Sequence, residues 1–217
     1  MKKSILAGLL VLAMSASLVA CGGGSSTPAP TTAAAAQTET KAVEPAKEGE
    51  AAAAEGLKEA IAEQPVLLTS VGQSADYEMV KTMLEKNNIT YAKEGLATSE
   101  NIGDAKTLIL AVGGSSKGLG AAGIDADGEL ARVKELVDAA DAKGLTIIAL
   151  HIGGEARRGD LSDKFIAPSF EKADYAIVVK AGDKDGMMAG LASGAGIPID
   201  LVEGMADVVP KLGAAFK

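Results

Sequence analysis

The chain has 217 residues, a formal net charge of −8 and only 3% aromatic residues, with no Trp. This length suits one compact domain with accessory segments. The acidic balance argues against a nucleic-acid partner, because such a partner requires a basic face and aromatic rings for stacking. The shortage of rings also disfavours a sugar-binding site.

The N-terminus has the pattern of a secretory signal peptide. Lys2 and Lys3 precede an apolar segment that runs from Ile5 to about Ala20. The sequence LVAC, which ends at Cys21, resembles the lipobox of bacterial lipoproteins. That resemblance implies a signal peptide over residues 1–20, cleavage before Cys21 and lipidation of its sulfur. The alternative is a plain signal peptide, or an uncleaved anchor, with a chance cysteine.

We therefore predict an extracytoplasmic protein of the cell envelope, held to a membrane through lipidated Cys21. Two or three acyl chains hold a protein far more firmly than a single one. Cys21 is the only cysteine, so no disulfide framework is predicted.

Residues 21–64 are predicted to form a low-complexity tether. Up to about residue 56 they are mostly Gly, Ser, Thr, Pro, Ala and Glu, which cannot bury enough apolar surface to offset the entropy of ordering. Residues 56–64 could add one or two helical turns. The domain is predicted to occupy residues 65–217.

Strand and helix patterns alternate along this domain. Strands are predicted at residues 66–71, 89–92, 107–112, 146–152 and 175–179, with a further edge strand at 199–202. Helices are predicted from Ser74 to Asn87, from Asp127 to Gly144, at about 160–172 with a disturbance near Pro168, at about 184–192, and at the C-terminus.

This alternation, with strands that are apolar nearly throughout, predicts a parallel sheet covered by helices on both faces. The expected fold class is a three-layer, doubly wound α/β domain, Rossmann-like or flavodoxin-like. It would have five or six strands in the order 2-1-3-4-5, with the sixth at the edge. The switch point then lies between strands 1 and 3, and ligands of such sheets bind at the carboxyl ends of the strands.

Polar or glycine-rich residues follow every buried strand at that edge, which we refer to as the rim. They predict a site for a small polar or anionic ligand, without catalysis, metal or cofactor. The predicted ligand-binding residues are Gly72, Gln73, Ser74, Gly113, Gly114, Ser115, Ser116, Lys117, His151, Gly153, Gly154, Arg157, Arg158 and Lys180.

Two motifs at the third strand suggest enzymes. Residues 113–120, GGSSKGLG, resemble the cofactor turn of short-chain dehydrogenases, but they follow the third strand and no Tyr-x-x-x-Lys pair comes after them. The same stretch contains G-x-S-x-G, which would make Ser116 a hydrolase nucleophile and His151 its base. A hydrolase elbow enters a helix at once, whereas the residues from Gly120 to Asp125 predict a delay. Glycines that admit a ligand close to the backbone are the simpler interpretation.

Arg157 and Arg158 leave two interpretations open. Adjacent arginines beside Gly153 could clamp a carboxylate or phosphate. They could instead pair with Asp160 and Asp163 at the start of a helix. The single His151 is predicted to be a hydrogen-bonded rim residue, because a zinc site would need further His or Cys ligands.

Three segments together resemble an uncharacterised family of bacterial lipoproteins with a single α/β domain of unknown function. They are GGSSKGLGAAGID at 113–125, HIGGEARRGDLSDKF at 151–165 and KAGDKDG at 180–186. The resemblance supports the domain boundary and the membrane anchor, and it implies no catalytic residue. The expected partners are the membrane and an anionic solute that the protein would hold in the service of a transporter. The alternative is a docking module for a transporter or another envelope protein.

Overall fold

The structure, a computed structural model, describes residues 55–217. The predicted signal peptide, Cys21 and most of the tether lie outside these residues. Within the described part, no helix combines the length and apolar character needed to cross a membrane.

The domain is built on a single six-stranded sheet in which every neighbouring pair is parallel, in the order β2-β1-β3-β4-β5-β6. The prediction of a doubly wound α/β fold is confirmed, including the sixth strand at the edge. The strands are β1 (Val66–Val71), β2 (Tyr91–Lys93), β3 (Thr107–Val112), β4 (Thr146–His151), β5 (Tyr175–Val179) and β6 (Ile199–Val202).

Helices cover both faces of this sheet. They are α1 (Asp76–Lys86), α2 (Ser116–Ala122), α3 (Ala126–Ala142), α4 (Asp160–Phe170), α5 (Met187–Ala195) and α6 (Met205–Ala214), with short 3₁₀ turns at Ser99–Asn101, Gly154–Arg157 and Lys180–Gly182. Side chains of α1 and α6 pack on one face, and those of α3, α4 and α5 pack on the other. The central strands are therefore buried on both sides, which is why they are apolar nearly throughout.

Two element boundaries differ from the sequence prediction. The second strand lies at Tyr91–Lys93 instead of 89–92, because Asn88 turns the chain with a φ of 54° and Ile89 packs into the core. Helix α3 is capped by Asp125 and not by Asp127: the Asp125 carboxylate accepts a 2.7 Å hydrogen bond from the Gly128 N–H.

Two details of the helices concern packing and continuity. Helix α1 buries Val80, Met83 and Leu84, whereas 45% of the Met79 surface is exposed. Helix α4 continues through Pro168 and ends at Phe170.

Residues 55–64, which we refer to as the N-terminal strap, pack on the domain instead of forming a helix. The Ile199 N–H donates to the Glu55 carbonyl (3.0 Å), and the Thr107 hydroxyl donates to the Glu63 carbonyl (2.7 Å). Ala62 forms a β-bridge with Phe216. The strap therefore passes along the amino ends of the strands, at the edge opposite the rim.

Candidate functional site

The loops after β1 and β3 meet at the rim, where the sequence predicted a switch point. Gln73 forms an antiparallel β-bridge with Gly114, and the Ser115 N–H donates to the Gly72 carbonyl at 2.8 Å. A Cβ on Gly72 would lie 2.7 Å from the Gly113 carbonyl oxygen. These glycines therefore allow the two loops to pack against each other.

Helix α2 begins directly after the β3 loop, which corrects the expected delay up to Asp125. Ser115 is its N-cap and accepts a 3.0 Å hydrogen bond from the Gly118 N–H. A Cβ on Gly118 would overlap the Gln73 carbonyl oxygen. Ser116 and Lys117, in the first turn of α2, are exposed.

A buried ion pair between Glu129 and Arg132 stabilises the loop after β1. Glu129 of α3 is completely buried and contacts Arg132 at 2.8 Å, with only 8% of the Arg132 side chain exposed. The Glu129 carboxylate accepts hydrogen bonds from the Gly72 N–H (2.9 Å) and from the Gln73 side-chain amide (3.0 Å). Gln73 has a φ of 57°, a left-handed conformation that is uncommon for a residue with a side chain, and this contact holds it there.

Arg132 extends the same network to the end of β1. Its guanidinium donates to the Ser70 carbonyl at 2.6 Å and to the Ala97 carbonyl at 2.7 Å. Sequence reasoning missed this pair, and its only signal was the i,i+3 spacing of Glu129 and Arg132 on a helix.

Arg157 lies across the rim and pairs with a buried carboxylate. Its Nε atom is 3.1 Å from both Asp76 oxygens, and the Asp76 side chain is only 8% exposed. A Cβ on Gly153 would overlap the Arg157 side chain, and one on Gly113 would lie 3.0 Å from its Cδ atom. Both glycines therefore make room for Arg157.

The terminal nitrogens of Arg157 form no hydrogen bond with any residue in the range 55–217. Of the guanidinium nitrogens of this residue, Nε alone donates within that range, and 26% of the side chain is exposed. Sequence reasoning selected Arg157 but missed Asp76, its orienting partner.

Arg158 has a different environment. Its Nε donates to Asp163 (2.8 Å), its Nη2 donates to Asp185 (2.8 Å), and its Nη1 donates to the Gly182 carbonyl (2.6 Å). Hydrogen bonding from Arg158 lowers the pKa of the Asp185 carboxyl. Of the two partners considered from the sequence, Asp163 is the one that pairs with Arg158; no salt bridge joins Asp160 to it in the described part. The Arg158 side chain thus links the β4 and β5 loops.

His151 is buried at the end of β4. Its Nε2 lies 2.9 Å from the Arg157 carbonyl oxygen, so this nitrogen carries the hydrogen and donates. Its Nδ1 has no partner among the described residues and packs against Gly182, where a Cβ would come within 2.8 Å. Burial lowers the pKa of His151, which keeps the ring neutral.

The remaining predicted residues serve local contacts. The Ser74 hydroxyl accepts from the Asp76 N–H at 3.3 Å, and Lys180 pairs with Glu203. Gly154 has a φ of 59°, which suits a residue without a side chain. Within residues 55–217, no group of three or more His, Cys, Asp or Glu side chains is arranged to hold a metal ion.

The fold and the rim together define a doubly wound parallel α/β domain with its loops gathered at one edge. The chain belongs to the DUF6305 family, whose domain of unknown function matches residues 63–216.

Among solved structures, a GDSL-like lipase from Bacteroides thetaiotaomicron is similar over part of the chain, with 11% sequence identity and a TM-score of 0.31. The match covers 62% of this chain and 65% of the lipase chain, so it spans less than two thirds of the lipase. No curated protein sequence matches the chain.

Proposed function

We propose that this protein is a lipid-anchored, extracytoplasmic binding protein that holds a small carboxylate or phosphate at Arg157 without catalysis. The observation that carries the proposal is the state of the Arg157 guanidinium. Its Nε is fixed by buried Asp76, while Nη1 and Nη2 make no hydrogen bond to other residues in the described part of the chain.

This arrangement suits recognition of a planar anion. Two guanidinium nitrogens can donate in parallel to two oxygens of a carboxylate or phosphate. Asp76 fixes the guanidinium through its Nε atom, and the aliphatic part of the Arg157 side chain packs closely against Gly113 and Gly153. Much of the entropy of fixing a long side chain is therefore lost on folding instead of on binding.

Binding without catalysis is supported by the positions of Ser116 and His151. A serine hydrolase requires the histidine to accept a proton from the serine hydroxyl. His151 is buried with its Nε2 on the Arg157 carbonyl, whereas Ser116 is exposed on α2. This arrangement gives no support to Ser116 and His151 as the nucleophile and base of the alternative considered from the sequence.

The lipid anchor is supported by the sequence of residues 1–21 and lies outside the described residues. The position of the strap is consistent with an N-terminal anchor, because the strap joins the domain at the amino ends of the strands. The strap itself therefore lies away from the rim.

Calorimetric titration of the full chain with succinate, citrate and inorganic phosphate tests the proposal. We expect at least one of these anions to bind, and Arg157→Ala to weaken its binding at least about tenfold. Arg157→Lys should also bind poorly, because an ammonium group lacks the planar fork. Lys143→Ala, which removes an exposed positive charge at the end of α3, is the matched control.

Two outcomes would overturn the proposal. One is the absence of binding for every anion tested with the unmodified chain. The other is a bound anion whose affinity is unchanged in Arg157→Ala.

A further inference from the structure

A broad groove lies between α4 and α5, on a part of the domain other than the rim. Its volume is about 770 Å³, and its lining includes Ala167 and Pro168 of α4 with Gly190, Leu191 and Gly194 of α5. Small and apolar side chains form most of this surface. We refer to it as the α4–α5 groove.

Packing within a single copy of the domain does not require glycine on the exposed side of α5. A Cβ at Gly190 or at Gly194 would meet no atom within 4 Å among the described residues. Both positions lie inside a helix, where glycine is less favourable than alanine. Absence of these side chains would instead allow another helix to approach the α5 backbone closely.

The charged residues beside the groove indicate the charge pattern that a helix bound there would carry. Lys164 of α4 and Glu171, the C-cap residue that follows this helix, are exposed on the same side as Ala167. Neither forms a salt bridge within residues 55–217, whereas neighbouring Lys172 pairs with Asp141 at 2.5 Å. The two unpaired charges are opposite in sign and lie about 10 Å apart along the helix axis.

We propose that the α4–α5 groove binds a second copy of this chain, with the two α4 helices antiparallel about a two-fold axis near Ala167. This axis places Lys164 of each copy opposite Glu171 of the other. Each α4 then lies in the groove of the other copy, against the exposed glycines of α5. The interface is a layer of four helices, two from each chain.

The two-fold arrangement follows from the pattern on one helix. An interface of this type uses the same surface on both copies, so that surface must complement itself. Lys164 lies three residues before Ala167 and Glu171 four residues after it, so the two opposite charges are balanced about a point between Ala167 and Pro168. This pattern meets the condition, and the small Ala167 beside that point lets the helices approach. A partner other than a second copy of this chain would not require the two charges to lie symmetrically about one point of the helix.

Sedimentation of the full chain, in a detergent matched to the density of the solvent, tests the dimer. We expect the unmodified chain to be a dimer. Lys164→Glu and Glu171→Lys should each weaken dimerisation about tenfold, because symmetry makes each substitution act twice. The double variant Lys164→Glu with Glu171→Lys should restore it, and Lys143→Glu is the control with the same change of charge outside the groove.

A second variant tests the groove without changing charge. Gly190→Leu fills it and should give a folded monomer, as judged by circular dichroism. A monomeric unmodified chain would overturn the proposal, as would a dimer that tolerates either single charge reversal. Failure of the double variant to recover dimerisation would overturn the antiparallel pairing. Anion binding at Arg157 is measured separately, so either proposal can fail alone.

Discussion

Arg157 and Arg158 are adjacent in the chain, but their side chains have different roles. The Arg158 guanidinium donates hydrogen bonds to Asp163, Asp185 and a backbone carbonyl. Within the part of the chain that the structure describes, the Arg157 guanidinium donates through its Nε atom alone. The sequence predicted that this pair matters, but it did not decide between a clamp and a set of salt bridges. That decision depends on Asp76, at the start of α1, and on Asp185, in the segment before α5, which are brought into reach only by the fold.

The buried ring of His151 makes stability depend on pH. Burial depresses its pKa below the usual value of 6.5, so the unfolded chain binds a proton more readily than the folded domain. Stability is therefore fully present above pH 6.5 and decreases as the pH falls from there towards the folded-state pKa. Between pH 7.5 and 5 we therefore expect the free energy of unfolding, measured in urea, to decrease because of this group.

His151→Gln isolates this effect, because a glutamine amide can donate to the Arg157 carbonyl but does not titrate. The loss between pH 7.5 and 5 should be largely absent in this variant. The carboxylates with lowered pKa values, such as Asp185, lose their contribution at lower pH. An unchanged pH profile in His151→Gln would show that His151 is not the group responsible.

The ion pair of Glu129 and Arg132 should be sensitive to removal of one partner. Glu129→Ala leaves the Arg132 charge buried without its counter-ion, and a cost of about 3–5 kcal/mol is expected in urea unfolding. Asp138→Ala on the same helix breaks an exposed pair with Lys134 and serves as the control, with little effect expected. Equal effects in the two variants would contradict a special role for the buried pair.

At the scale of elements, helix α2 shows where the sequence pattern was insufficient. Its seven residues contain two glycines, which predict a loop on propensity alone. The segment is nevertheless helical because of a tertiary contact. Gly118 packs on the Gln73 carbonyl, which leaves no room for a side chain. The strands other than β2 were predicted well, since each buried strand is apolar nearly throughout. Short helices stabilised by contacts between loops leave no such periodic pattern.

The two glycines of α2 provide a matched pair of variants. Gly118→Ala forces the loops after β1 and β3 apart and should destabilise the domain by about 1–3 kcal/mol. Gly120→Ala meets no atom within 4 Å among the described residues and should stabilise it by about 0.5–1 kcal/mol. Thermal and urea unfolding measure both changes. A stabilising Gly118→Ala would show that the two loops are not packed as described.

At the scale of the whole molecule, the alternation of strands and helices was enough to predict the doubly wound sheet and its strand order. It did not predict the extended conformation of the strap, whose sequence could have formed one or two helical turns. The strap is extended because its backbone forms hydrogen bonds with distant groups, such as the Ile199 N–H and the Ala215 carbonyl. Contacts of this kind connect residues far apart in sequence and cannot be identified from local pattern.

The proposed anchor makes a prediction for the whole chain. Cys21→Ser should abolish metabolic labelling with a radioactive fatty acid and move the protein out of the membrane fraction, or leave it as an unprocessed precursor. Arg157→Ala, which leaves the N-terminus intact, is the control and should remain labelled and membrane-bound. Persistent labelling of Cys21→Ser would contradict lipidation at this cysteine.

The position of the strap also determines how the domain would respond to mechanical load. With the N-terminus anchored as proposed, tension reaches the described domain at Glu55. The first bonds to bear it are those of the Ile199 N–H to Glu55 and of the Leu57 N–H to Asp200, beside the edge strand β6. These bonds can open one after another, so a pull peels the strap away before it loads the central strands. The loops at the opposite edge keep their geometry while the strap yields.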